Sequence, residues 1–155
     1  MSTEMNSSGA PYKSIRFSLS DTHEAFIGRR DRLPSGLRAF LTPHTPEDYI
    51  KMEADLYLSD TKSSGFGVKP DGELISVFSL PGTKEGDEVV EEAKKVGAKK
   101  LECLGEFLRE FYEGHGFEVK DWDYWDDRFR PNNWNEEENG HPNVYYMELR
   151  ENDGS

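Results

Sequence analysis

The spacing of apolar and polar residues predicts four strands in the first half of the chain. Residues 14–19 alternate between polar and apolar, and so do residues 54–60, which is typical of strands that bury one face. Two further apolar runs, residues 64–69 and 73–80, flank a Pro-Asp-Gly sequence at positions 70–72. Because proline presets φ for a turn and glycine supplies positive φ, this sequence favours a hairpin between the third and fourth strands.

Helix signals fill the interval between the first two strands. Asp21 stands where an N-cap is expected and Glu24 is placed to reach back to it, so a helix is predicted through residues 26–30. A Leu-Pro-Ser-Gly sequence at positions 33–36 ends this helix. Thr45 then predicts a second N-cap, since a proline and two acidic residues follow it.

The second half of the chain predicts helices and strands in alternation. Residues 87–97 begin with two acids and end with lysines and a glycine, as helices do, and residues 99–105 read as a strand. Residues 117–126 and 143–150 alternate as two final strands around a long polar loop. Before them, apolar residues recur at helical spacing and form one stripe: Leu104, Phe107, Leu108, Phe111 and Tyr112. This order of elements predicts a mixed α/β domain.

Composition and charge narrow the classes of partner. A chain of 155 residues fits one domain, which we assign to residues 13–150, with disordered tails at residues 1–12 and 151–155. The formal net charge of −12 argues against nucleic acids and anionic membranes, because binding to phosphate depends on Lys and Arg. The N-terminus lacks an apolar signal region and no apolar run reaches about 20 residues, so a cytoplasmic monomer or homodimer is predicted.

Cysteine and histidine offer little chemistry. The single cysteine, Cys103, lies inside a predicted strand and is expected to be a small buried residue rather than a nucleophile. The four histidines are scattered, and no pair has the spacing of metal ligands, so no metal site is predicted.

Two segments carry a resemblance to a known family. One is the strand "ELISVFSLPG" that leads through a loop into "DEVVEEAKKVGA" and then the strand "KKLEC". The other is "EFLREFYEGHGFEV", which resembles the Phe/Leu-Tyr-x-x-x-Gly-Phe signature of the GNAT-type N-acetyltransferase superfamily. The resemblance covers about residues 14–150 and implies a central, mostly antiparallel, splayed sheet flanked by helices. The chain also looks like compact acetyltransferase-like proteins of phage genomes.

The resemblance implies a cofactor and a set of site residues. Acetyl-CoA would lie in a cleft between two splayed strands, held by backbone groups and the loop before the next helix: Phe78, Ser79, Leu80, Gly82, Lys84 and Gly86. Tyr112 would protonate the leaving thiolate, and Glu73 and Glu102 are the candidate bases. Periodicity alone makes Tyr112 a core aromatic and both glutamates ordinary exposed strand residues.

The phosphate loop departs from the pattern of the family. Lys84 can stand for the usual basic residue, with glycines on either side of it. Glu85, Asp87 and Glu88, however, add three carboxylates where a pyrophosphate would lie. At close range each repulsion would cost on the order of a few kcal/mol, and much less if the side chains point outward.

An unusual acidic and aromatic segment occupies residues 121–140. The ordinary interpretation is a strand with one buried side, followed by a solvated loop. The functional interpretation is an acidic, aromatic-walled mouth for a cationic acceptor, or a rim that binds a protein. The candidate acceptor-binding residues are Trp122, Asp123, Tyr124, Trp125 and Trp134.

Two functions therefore stay open at this point. The first is an N-acetyltransferase in which an amine, either a small molecule or a protein lysine, attacks the thioester directly and Tyr112 acts as general acid. The second is a non-catalytic binding or inhibitor protein on the same fold, for instance a phage accessory protein that acts on a host protein. Fold alone does not decide between them.

Overall fold

The computed structural model describes residues 15–126, 128, 134, 137 and 140–150. The predicted tails at residues 1–12 and 151–155 lie outside the described residues, as does most of the polar loop before the last strand. The elements follow in the order β1 (Phe17–Leu19), α1 (His23–Arg30), α2 (Ser35–Arg38), α3 (Pro46–Met52), β2 (Asp55–Ser59), β3 (Ser64–Val68), β4 (Leu74–Ser79), α4 (Gly86–Lys95), β5 (Lys100–Leu104), α5 (Gly105–Glu113), β6 (Phe117–Asp123) and β7 (Val144–Leu149).

The strands form two antiparallel sheets that meet at a single point. One sheet has the order β1-β2-β3-β4 and the other the order β5-β7-β6. They are joined by an isolated parallel bridge between Glu73 and Lys100. There the N–H groups of Lys99 and Lys100 donate to the carbonyl of Gly72 at 2.8 and 3.3 Å. The predicted mixed α/β fold with splayed, mostly antiparallel strands is confirmed, and the splay divides the strands into two sheets.

Helix caps agree with the sequence in one place and differ in another. Thr45 is the N-cap of α3 as predicted, and with Asp48 it forms a capping box with hydrogen bonds of 2.9 and 3.1 Å. The cap of α1 is Thr22, not Asp21, because the Thr22 hydroxyl accepts from the N–H of Ala25. The predicted break after α1 is confirmed, since α1 ends at Arg30, and a further short helix that was not predicted, α2, begins at Ser35 after the proline.

Two apolar cores lie on opposite faces of the first sheet. Alternation along β2 sends Leu56 and Leu58 to the core beneath α1 and α3, and Tyr57 to the core beneath α4. The core beneath α4 continues under the other sheet, where α5 packs on β5, β6 and β7. The helices that follow β4 and β5 therefore share one side of the molecule, and α1 and α3 lie on the other.

A β-bulge interrupts β4 at Ser76. Gly65 and Gly67 of β3 pair with Phe78 and Ile75, so two residues of β4 face one residue of β3. Ser76 has a left-handed backbone with φ of 55°, which strains a residue other than glycine. Its hydroxyl lies 2.7 Å from the hydroxyl of Tyr49, which is itself buried. This contact holds the bulge where β4 begins to leave β5.

Candidate active site

A cleft of about 670 Å³ opens where β4 and β5 diverge. The two strands are bridged at Glu73 and Lys100 and separate beyond that point, because β4 stays paired with β3 while β5 pairs with β7. The cleft is lined by both strands, by the first two turns of α5 and by residues between 33 and 42. Its volume is that of an ordinary small-molecule site.

One wall of the cleft was not predicted from the sequence. Leu33, Leu37, Phe40 and Leu41 line it from α2 and its flanking residues. Leu37 is 47% exposed, so the wall presents apolar surface to a ligand. The spacing i, i+4, i+7 and i+8 of these residues is that of a helical stripe. This spacing predicts the wall, but the proline at position 34 and the glycine at position 36 favoured a break instead.

Tyr112 lines the cleft, and only 6% of its surface is exposed. Its ring packs edge-on against Phe111 and Phe117, with centroids 5.2 and 5.9 Å apart. Among the described residues, no hydrogen bond partner meets its hydroxyl. Burial, and secondarily the neighbouring Cys103 thiol, raises the pKa of Tyr112, so the hydroxyl keeps its proton at neutral pH. Tyr112 is thus a core aromatic that lines the cleft with its hydroxyl protonated.

The two candidate bases also line the cleft. Glu73 is paired with Lys69 at 2.9 Å. Glu102 has no such partner among the described residues; partial burial and the Glu73 charge raise its pKa, while the Lys69 charge opposes this. A third glutamate at the rim, Glu106, accepts from Tyr145 and from Arg109, and these bonds lower its pKa. The surroundings of Glu102 thus disfavour its ionised form.

Cys103 lies in the lining of the cleft, where it is 8% exposed. Burial raises the pKa of its thiol to about 12, and its sulfur lies 3.8 Å from that of Met147. A thiol in this state is a packing residue rather than a nucleophile.

The loop between β4 and α4 has the backbone shape of an anion site. Gly82 and Lys84 have positive φ of 85° and 58°, and Gly86 begins α4. The first N–H groups of a helix have no partner within the helix and lie at its positive end. Gly86 also lines the cleft.

The acids of this loop do not all point the same way. Glu85 is turned inward and is 1% exposed. Asp87 contacts His115, with 2.8 Å between Oδ1 and Nε2. Glu88 is exposed. The repulsion expected between three carboxylates and a phosphate is therefore removed for Glu85 and reduced for Asp87.

The other predicted cofactor residues are distributed along the same path. Phe78, Ser79 and Gly86 line the cleft, whereas Leu80, Gly82 and Lys84 lie beyond its lining. The Phe78 ring is buried against Phe26 with centroids 5.5 Å apart, which leaves its backbone as the part that a ligand can contact. Ser79 donates to or accepts from Thr83 at 2.9 Å.

The predicted acceptor-binding residues lie outside the lining of the cleft and separate into two groups. Trp122 and Tyr124 are 43% and 76% exposed and contact each other edge-on at 4.8 Å. Asp123 accepts from Tyr146 at 2.8 Å. Trp125 and Trp134 instead pack together at 4.9 Å.

The second group closes one side of the apolar wall. Trp134 is buried, donates from Nε1 to the carbonyl of Gly140 at 2.8 Å, and contacts Phe40 edge-on at 5.1 Å. Trp125 stacks on His141 at 5.2 Å. Through Phe40, this aromatic group supports the wall of the cleft from behind.

In the described part of the chain, no helix is both long and apolar enough to span a membrane. Within the same residues, no group of three or more histidine, cysteine, aspartate or glutamate side chains is arranged to hold a metal ion.

Solved structures share this architecture. An acetyltransferase of the GNAT family from Elizabethkingia anophelis, with acetyl-CoA bound, matches with a TM-score of 0.53 and 17% identity over 89% of this chain and 100% of that chain. The chain has the GNAT acetyltransferase fold. A proposed N-acetyltransferase from Lactobacillus plantarum matches with a TM-score of 0.56 and 16% identity, covering 88% of this chain and 99% of that chain.

A third match to the GNAT fold is an IAA acetyltransferase from Bacillus cereus, with a TM-score of 0.54, 17% identity and coverage of 88% and 99% of the two chains. No protein family model and no curated protein matches the sequence. At these identities the likeness establishes the fold, and the function has to be argued from the site.

Proposed function

We propose that the protein is an N-acetyltransferase that moves an acetyl group from acetyl-CoA to an amine. The observation that carries the proposal is the cleft between the diverging strands β4 and β5, with the unpartnered hydroxyl of Tyr112 in its wall. Acetyl-CoA bound to a protein of the same fold supports this cofactor.

The residues present fit the cofactor at two places. Beyond the bridge between Glu73 and Lys100, β4 stays paired with β3 while β5 pairs with β7, so the backbone groups on the β5 side of β4 are available to an extended ligand in the cleft. The loop of residues 82–86 and the N-terminus of α4 provide N–H groups and positive dipole for a pyrophosphate. Lys84 is exposed at this loop and adds a cation.

The chain's own residues supply acid–base chemistry. A neutral amine attacks the thioester carbonyl and forms the C–N bond, a backbone N–H of β4 stabilises the oxyanion that this addition produces, and the C–S bond breaks afterwards. Glu102, directly or through water, takes the proton that the amine loses. Tyr112 gives its proton to the departing sulfur. Glu73 stays paired with Lys69 and acts on the reaction through the pKa of Glu102.

The proposed acceptor is a cationic amine in solution, either a small molecule or a protein lysine. The net charge of −12 and the acidic residues around Trp122 and Tyr124 attract cations toward the cleft. The apolar wall at Leu37 and Phe40 then favours the uncharged form of the amine inside it.

Binding of acetyl-CoA tests the proposal first: titration calorimetry gives the Kd, and denaturant unfolding with and without the cofactor gives the stabilisation. A cofactor at 100 times its Kd should raise the free energy of unfolding by about 2.7 kcal/mol. Acetyl transfer to a panel of amines is measured next, and Tyr112→Phe is expected to lower kcat by about 10²-fold with little change in cofactor affinity. Absence of binding at millimolar acetyl-CoA would refute the enzyme, and an unchanged kcat would remove Tyr112 from the reaction.

A non-catalytic binding protein is the second candidate. The observation that favours it is the exposed pair Trp122 and Tyr124 beside Asp121 and Asp123, since exposed aromatics often anchor protein interfaces. In that case, replacing Trp122 and Tyr124 with alanine abolishes binding to a basic protein partner, whereas Tyr112→Phe has no effect on it.

A further inference from the structure

Glu85 is a buried carboxylate whose hydrogen bonds come from side-chain hydroxyls. Ser64 Oγ donates to Oε1 at 2.5 Å and Ser63 Oγ donates to the same oxygen at 2.9 Å. Thr61 Oγ1 lies 3.3 Å from both carboxylate oxygens. Thr61 and Ser63 belong to the turn between β2 and β3, and Ser64 begins β3; all three are at least 21 positions from Glu85 in sequence.

These donors belong to a larger set, the hydroxyl cluster, formed by Ser59, Thr61, Ser63, Ser64, Ser79 and Thr83. Within it, Ser59 and Thr61 are 2.7 Å apart, and the N–H of Ser64 donates to Ser59. Ser79 at the end of β4 lies 3.4 Å from Ser64 and 2.9 Å from Thr83 in the loop. Glu85 is therefore fixed to the β2–β3 turn, to β4 and to its own loop at once.

The backbone at this position is arranged for an anion. Lys84 is left-handed, with φ of 58°, and Glu85 is right-handed, with φ of −101° and ψ of 0°. Successive residues of opposite hand turn consecutive N–H groups toward one side and form a concave anion site. Glu85 lies at the centre of this arrangement, yet its own negative side chain is drawn to the protein interior.

We propose that Glu85 is a positioning residue for the pyrophosphate of the cofactor, an inference that rests on the proposed function. A buried carboxylate that loses its partners costs several kcal/mol, so the side chain stays in the hydroxyl cluster. Its burial holds Lys84 and Gly86 in the conformations that aim their N–H groups outward. A carboxylate that would repel the phosphate if exposed instead orients the amides that bind it.

Binding of coenzyme A and of pantetheine, which lacks the pyrophosphate, tests the inference by NMR titration. Glu85→Ala should raise the Kd for coenzyme A about tenfold, the equivalent of one lost hydrogen bond to a charged group, and leave the Kd for pantetheine unchanged. Glu85→Gln keeps an acceptor for Ser64 and should restore most of the affinity. Glu88→Ala is the matched control, since it removes the same charge from an exposed position and should strengthen binding.

The outcomes separate the inference from the proposed function. If the wild-type protein binds neither ligand, the proposed function fails and the inference falls with it. If the wild-type binds coenzyme A and Glu85→Ala weakens both ligands equally, or weakens neither, Glu85 is only a structural residue. Should Glu85→Ala not fold, Ser63→Ala removes one donor from the partly buried edge of the cluster and should weaken coenzyme A selectively.

Discussion

His115, at the end of α5, contacts Asp87, in the first turn of α4, with Nε2 2.8 Å from Oδ1. Its other ring nitrogen lies 2.5 Å from the carboxylate of Glu91, one turn further along α4. The His115 ring thus lies between two carboxylates and joins the helix that carries Tyr112 to the helix that begins at the phosphate loop.

Replacing His115 should weaken the cofactor site through the charge of Asp87. His115→Ala is expected to lower the free energy of unfolding by about 1 kcal/mol, since Asp87 is largely solvent-exposed, and to lower the affinity for acetyl-CoA. The affinity loss should shrink in high salt, because it comes from Coulomb repulsion. Calorimetry at two salt concentrations and thermal unfolding measure the two effects.

Asp87→Asn is the control for this prediction. It keeps a side-chain oxygen that can accept from His115, so its effect on stability should be smaller. It removes the negative charge, however, and should leave cofactor affinity equal or higher. A loss of affinity in both variants would mean that the contact shapes the helix and that the charge of Asp87 is irrelevant.

The raised pKa of Glu102 predicts the position of the acid limb of the pH–rate profile. A base acts in its ionised form, so a raised pKa moves the loss of kcat/KM to higher pH than for an ordinary glutamate. Because the Glu73 charge raises the pKa of Glu102 and the Lys69 charge lowers it, Glu73→Gln should shift the limb to lower pH and Lys69→Met to higher pH. Limbs that do not move would exclude Glu102 as the base.

Cys103 should resist thiol reagents in the folded protein. With a pKa of about 12, only about 1 in 10⁴ of its thiols is ionised near pH 8, and the side chain is buried. Alkylation by iodoacetamide, followed by mass spectrometry, should be slow in buffer and fast in guanidinium chloride. Rapid modification of the native protein would show that the cleft admits reagents to the thiol and would contradict the burial of Cys103.

Glycine is required at position 65 of β3 because the backbone of β2 and a side chain of β4 both lie close to it. A methyl group there would lie 2.6 Å from the backbone oxygen of Tyr57 and 2.7 Å from the Phe78 ring. Gly65→Ala should therefore destabilise the fold by about 1–3 kcal/mol in a denaturant titration. Gly28→Ala is the control, since that helical position has no neighbour within 4 Å and should gain about 0.5–1 kcal/mol.

Local patterns were sufficient where one element decides the outcome. The alternation at residues 54–60 predicted β2, and Thr45 with the residues after it predicted the cap of α3. They were insufficient where two signals compete. Thr22 caps α1 in place of Asp21. The proline at position 34 precedes the short helix α2, and because this helix was not predicted, the apolar wall of the cleft was not predicted either.

By itself, the sequence determined the order of the strands and of the four longer helices, because the buried face of a helix or strand follows its period. It did not determine that Phe107, a member of the predicted apolar stripe of α5, is 82% exposed. Only the tertiary structure decided which way the loop acids point. Glu85 turns inward toward Ser64, 21 positions away, and Asp87 turns toward His115, 28 positions away. A loop residue has no period that assigns its face, so contacts between distant segments set its direction and, with it, the charge at the proposed phosphate site.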